Sequence, residues 1–192
     1  MGGFKERTFG KGSFTFQHKR GGTPVRMWNL NRVGTWMMKR LGHWTTRTFR
    51  GNRMFGHWDS QLHIDNLITD DGLAVIAARL VGATVDPADT LAVGTGTTAA
   101  AAADTALETE ITDSGLERAV DAAPTFETTV VTDDTAVVNY EWTASGSKAI
   151  TEAGVLTQSS AGALLSHQVF AAVNVVSGDT FEATWKFQVT TS

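Results

Sequence analysis

Two histidines and two aspartates fall close together in His57-Trp58-Asp59 and His63-Ile64-Asp65, residue types that can ligate a metal. A metal site needs three or four such groups converging around an open position. Strand alternation would bring Asp59, His63 and Asp65 to one face. Polar positions where a strand begins explain the same pattern without a metal. His167 sits between apolar neighbours in a strand-like run and reads as a satisfied core or interface histidine. Gly94-Thr95-Gly96 looks like part of a phosphate loop. It lacks the third glycine of a dinucleotide fingerprint and the Gly-Lys-Ser/Thr of a P-loop, so it reads as a turn. The acid pairs Asp70-Asp71, Asp133-Asp134 and Asp113/Glu117 each fall at a turn or cap, which accounts for them without catalysis. Ser159, Ser160 and Ser166 have no Gly-x-Ser-x-Gly context. Cysteine is absent, which removes thiol chemistry and thiolate-ligated zinc. No catalytic residue, metal or cofactor is assigned, and a non-enzymatic protein is expected.

Charge and aromatic residues point instead to a partner. Residues 1–57 carry 12 of the 16 Lys and Arg and one acid, Glu6, a net +11. Residues 58–192 carry four bases and 19 acids, a net −15. Ten of the 17 aromatic residues lie at or before Trp58, so the two regions should meet different partners. The candidate partner-binding residues are Arg26, Trp28, Arg32, Trp36, Met37, Lys39, Arg40, Trp44, Arg47, Arg50, Arg53 and Phe55. Lys and Arg could neutralise phosphates while Trp and Phe stack on bases. Arg, Trp and Met could equally anchor in grooves of a neighbouring acidic subunit. The protein reading is favoured, because the aromatic and Met content exceeds what tracking phosphates needs. A membrane-surface helix is disfavoured by Gly34, Gly42, Gly51 and Gly56, which interrupt any continuous amphipathic face.

These residues must be positioned by few elements. The 192 residues can bury a real core, and 42% are hydrophobic. No run of about 18 apolar residues is present, so no transmembrane helix is expected. The basic start is not followed by an apolar stretch, so no signal peptide is expected. Phe14 and Phe16 alternate with polar residues, and Gly21-Gly22-Thr23-Pro24 is a turn signal, so 13–19 and 25–30 read as a hairpin. Residues 62–67 read as a strand, and 72–80 as a short helix capped by Asp70 or Asp71. Residues 91–93 read as a strand and 105–110 as a helical turn. Four further strands are expected at 125–132, 136–144, 148–157 and 163–176. Along the last strand Phe181, Ala183, Trp185, Phe187 and Val189 should face inward. Seven or eight short strands with regular turns predict a mainly β protein, an antiparallel, jelly-roll-like β-sandwich with one short helix. The expected division is a basic aromatic N-terminal arm over 1–57, with a hairpin at 13–30, and an acidic sandwich over 58–192.

Several stretches resemble small virion structural proteins of tailed bacteriophages. They are Phe14-Thr15-Phe16-Gln17-His18-Lys19-Arg20-Gly21-Gly22 and His63-Ile64-Asp65-Asn66-Leu67-Ile68-Thr69-Asp70-Asp71-Gly72-Leu73. Leu91 to Thr98, Asp104 to Glu110 with Arg118, Ile150 to Leu156, Gly162 to Leu165 and Ser177 to Thr180 are similar to the same group. Residues 31–57 depart from it and look like an insertion. The resemblance implies a β-sandwich in a homo-oligomer, often a trimer, on a capsid or tail surface. The resulting expectation is a virion protein assembled in the host cytoplasm. It is a capsid decoration, cement or minor capsid protein whose arm binds the major capsid protein or tail and neck proteins. A tail-fibre or baseplate protein is the first alternative, and an internal protein whose arm contacts packaged DNA is the second.

Overall fold

Alternating aromatic and polar residues build the first sheet. The computed structural model describes residues 11–30 and 56–189. Strand β1 (Lys11–Arg20) pairs antiparallel with β13 (Thr180–Gln188), which in turn pairs with β10 (Thr135–Thr143) and that with β9 (Thr125–Glu127). On its other side β1 pairs with the two-residue β2 (Thr23–Pro24) and with β5 (Gln61–Asp65). The register sets Phe14 beside Trp185, Phe16 beside Ala183 and His18 beside Phe181. All six are buried, and Val138 and Trp142 of β10 extend the same face.

The second sheet runs β6 (Leu67–Ile68), β12 (Leu164–Val175), β11 (Lys148–Leu156), β7 (Thr90–Gly94) and β8 (Ala119–Val120). Its Leu91, Val93, Ile150, Ala153, Val155 and Val173 meet the aromatic face of the first sheet in one core. A shift of register between Ile150 and Glu152 turns Glu152 and Leu156 to the outer side. There Ala92, Leu107, Leu156 and Leu164 form a second small cluster, covered by the chain between β7 and β8. The architecture is thus the expected mainly β, antiparallel sandwich.

The single helix among the described residues, α1 (Asp70–Leu80), is capped by Thr69 rather than by Asp70 or Asp71. The Thr69 hydroxyl accepts from the Gly72 N–H at 3.0 Å, while the two aspartates lie in the first turn, where the helix dipole favours them. The helix packs directly on β12: a Cβ at Gly72 would lie 2.2 Å from the Leu165 carbonyl oxygen. Gly72→Ala should therefore cost about 1–3 kcal/mol, as overpacking against a part that cannot yield does. Chemical denaturation measures it, with Leu73→Ala, at an exposed position, as the near-neutral control.

Strand ends define two ends of the sandwich. Thr143 leads to Lys148 and Val175 to Thr180, so these residues share an upper end. Lys11, Gln188 and Thr135 in one sheet and Thr90, Leu156 and Leu164 in the other mark the lower end, where α1 also lies.

Several sequence expectations change. The boundary expected after residue 57 is displaced, because β1 is an interior strand of the first sheet and Phe14 and Phe16 are core. The 13–30 hairpin turns at Gly21-Gly22 as expected, but its second strand ends at Pro24. β3 (Met27–Leu30) pairs instead with β4 (Gly56–Asp59) in a separate two-stranded ribbon. The expected strand at 62–67 is two strands in different sheets, broken at Asn66. The strand at 125–132 stops at Glu127, where Asp134 takes over the N–H groups of Thr129, Val130 and Val131. Val189 lies past the end of β13 and is 65% exposed.

Candidate partner-binding site

The ribbon carries the chemistry that the sequence singled out. Met27 to Leu30 pair with Asp59 to Gly56, and the outermost pair is Leu30 with Gly56. Residues 31–55 therefore leave and return through two paired neighbours. The segment is an insertion held on a two-stranded stem, rather than the distal part of a terminal arm. Of the candidate residues, Arg26 is exposed just before β3, and Trp28 pairs with Trp58 in the ribbon. Arg32, Trp36, Met37, Lys39, Arg40, Trp44, Arg47, Arg50, Arg53 and Phe55 lie outside the described residues. That stretch contains Arg32, Lys39, Arg40, Arg47, Arg50 and Arg53 and no acid.

The stem is joined to the sandwich at both of its strands. β4 runs through Ser60 into β5, whose Gln61 pairs with Gln17 near the upper end. Met27 packs on the main core. Just beyond, buried Asp179 in the β12–β13 turn accepts from His18 Nε2 at 2.9 Å, from Arg20 Nε and Nη2 at 3.2 Å, and from the Val176 N–H at 3.1 Å. Burial alone would push the Asp179 carboxyl up. The His18 and Arg20 contacts and the Val176 N–H outweigh it and bring the carboxyl down to about 2. The β1–β2 turn from which the ribbon starts is thereby tied to the second sheet.

A second cluster was not anticipated. His167 donates from Nδ1 to Asp104 at 2.8 Å and from Nε2 to Glu152 at 3.0 Å. Glu152 has no exposed surface and also accepts from the N–H groups of Gly96, Glu108 and Thr109 at 2.8–2.9 Å. Burial pushes the Glu152 carboxyl up, but His167 and the three N–H groups bring it below its ordinary value. The Ala101 N–H and then His167 hold Asp104 low as well. With both carboxylates ionised, both imidazole nitrogens donate. Burial lowers the His167 pKa, yet its two acidic partners raise it overall.

This cluster is a clamp. It fastens the loop after β7 over the outer face of the second sheet. It also explains the Gly-Thr-Gly run: a Cβ at Gly94 or Gly96 would lie 2.3 or 2.5 Å from Glu152 Oε1. The nest of N–H groups that resembled a phosphate loop is filled by the protein's own carboxylate. The helical turn expected near 105–110 is absent because the Glu108 and Thr109 N–H groups face Glu152 instead. The signal in the sequence was a glutamate inside the apolar run Ile150 to Leu156, opposite two closely spaced glycines.

The remaining candidates are structural. His63 and Asp65 are exposed on the outer face of the first sheet, and His63 Nδ1 is hydrogen-bonded to Thr15 Oγ1 at 2.8 Å. His57 and Asp59 belong to the ribbon. Among the described residues no group of three or more His, Asp or Glu is arranged to hold a metal ion. No protein-family model, curated protein or solved structure matches this chain.

Proposed function

We propose that this protein is a non-enzymatic structural component of a bacteriophage particle, a capsid decoration, cement or minor capsid protein. It binds other virion proteins through residues 31–55. The observation that carries this reading is the ribbon: a cationic, Trp- and Met-rich insertion held on a paired stem at one end of an acidic sandwich. Opposite charges speed encounter with an acidic partner, and aromatic side chains supply the anchoring area. The sequence resemblance to phage virion proteins supplies the biological setting.

Deleting residues 1–57 would remove β1 and the core residues Phe14 and Phe16, so it tests folding rather than binding. The sharper variant replaces residues 31–55 with Asn-Gly, a pair that closes a two-residue hairpin between Leu30 and Gly56. We expect this variant to keep the wild-type unfolding midpoint and to lose co-sedimentation with particles that lack the protein. Retained co-sedimentation would overturn the anchor. Binding to duplex DNA that falls by about 10³ between 50 and 200 mM salt, the signature of six or more phosphate contacts, would move the assignment to an internal DNA-contacting protein. The copy number per particle separates the placements. Hundreds mean the capsid lattice, and a few dozen or fewer mean the tail or neck.

A further inference from the structure

Among the described residues most of the exposed large apolar side chains lie toward the lower end of the sandwich, opposite the ribbon, with Val176 in the β12–β13 turn the exception at the upper end. Leu73, Leu80 and Val81 project from α1 and its cap, with Leu80 74% exposed. Val120 of β8 and Phe126 of β9 stand at the adjoining edge, with Phe126 70% exposed. Val130 and Val131 lie in the loop after β9. The two groups are joined, because the Asp121 N–H donates to the Asp89 carbonyl at 2.7 Å. Beside α1 an apolar groove of about 320 Å³ is lined by Val75, Ile76, Leu80, Ala88 and Leu165, with Arg79 also in its wall. An exposed apolar groove flanked by further exposed apolar side chains is the kind of surface that marks an interaction site.

We propose that this lower end receives residues 31–55 of a second copy of the chain, joining copies head to tail. Charge complementarity is the first reason. Asp70, Asp71, Asp86, Asp89 and Asp133 lie on or beside α1, the loop before β7 and the β9–β10 loop, whereas 31–55 is cationic and has no acid. Chemistry is the second: Trp36, Met37, Leu41 and Trp44 are anchors of the size an apolar groove accepts. Reach is the third. The insertion is 25 residues long and leaves and returns at one point, so its length allows a reach of at most on the order of 40 Å from its stem. β12 alone, 12 residues, spans on the order of 40 Å between the two ends. A chain's own insertion would exhaust its length in reaching its own groove, whereas a neighbour's approaches end-on. Such a junction is heterologous: it closes into a ring or continues as a chain of copies. The inference deepens the reading of 31–55 as a protein anchor by naming its receptor.

Sedimentation velocity of the full chain over a concentration series tests it. The wild type should self-associate. Leu80→Asp at the groove and the double change Trp36→Ala/Trp44→Ala should each weaken association by about ten-fold or more while keeping the wild-type unfolding midpoint. Mixed, these two variants each retain one intact half, so they should recover a one-to-one complex that neither forms alone. A wild type that stays monomeric throughout, or either variant associating like wild type, overturns the proposal. Failure of the mixture to recover a complex does so too, since a two-fold symmetric or intramolecular contact would behave that way. Particle co-sedimentation is scored separately. Self-association without particle binding leaves the head-to-tail junction standing and removes the virion role. Particle binding with no self-association does the reverse.

Discussion

Trp185→Ala should lower the unfolding free energy by about 3–5 kcal/mol, the range for truncating a fully buried large aromatic residue. Trp185 has no exposed surface and lies at the centre of the core, its ring 4.1 Å from that of Phe14. Its indole N–H donates to Ser166 Oγ in the second sheet at 3.1 Å, so the change also costs the hydroxyl a partner. Denaturant titration is the measurement. Lys186→Ala is the control one residue along: Lys186 faces outward and meets Glu127 in a largely solvated pair at 2.6 Å, so its loss should cost no more than about 1 kcal/mol. A Lys186 variant more damaging than the Trp185 variant would mean that the strand is displaced by one residue and every inward position on it is reversed.

Glu152→Ala should be comparably severe, about 3–5 kcal/mol, because it strands a buried histidinium and removes the acceptor of three backbone N–H groups. The pH dependence has a definite sign. The lowered carboxylates of Glu152 and Asp104 stabilise the fold above the ordinary carboxylate range, and that contribution is lost as the pH falls through their folded values. His167 has a raised pKa, so its contribution is full below the ordinary value of 6.5 and fades as the pH rises through the folded value. Stability should therefore be greatest at mildly acidic pH and decline above about 6.5. His167→Asn should flatten the alkaline decline measured by unfolding midpoints between pH 5 and 9. An unchanged slope in that variant would show that His167 does not carry the second proton.

Local pattern determined much of this molecule. Alternation in Phe181–Phe187 placed the inward face correctly, because a strand's two-residue period is a property of the backbone alone. The helix over 72–80 was legible from its local pattern, though its cap is Thr69 rather than either aspartate. The cationic, aromatic character of 31–55 was also visible in composition. Pairing partners were not. Nothing local distinguishes β3 as the mate of β4 across 25 intervening residues, nor β1 as an interior strand, since register between distant segments is set by the core they share. The Asp104–His167–Glu152 clamp joins residues 63 and 15 positions apart, and its carboxylate becomes tolerable only once the loop's N–H groups surround it. The division of the molecule into a ribbon end and an apolar end likewise exists only after the two sheets align their strand ends. Tertiary structure decided it because it decides which turns lie together in space.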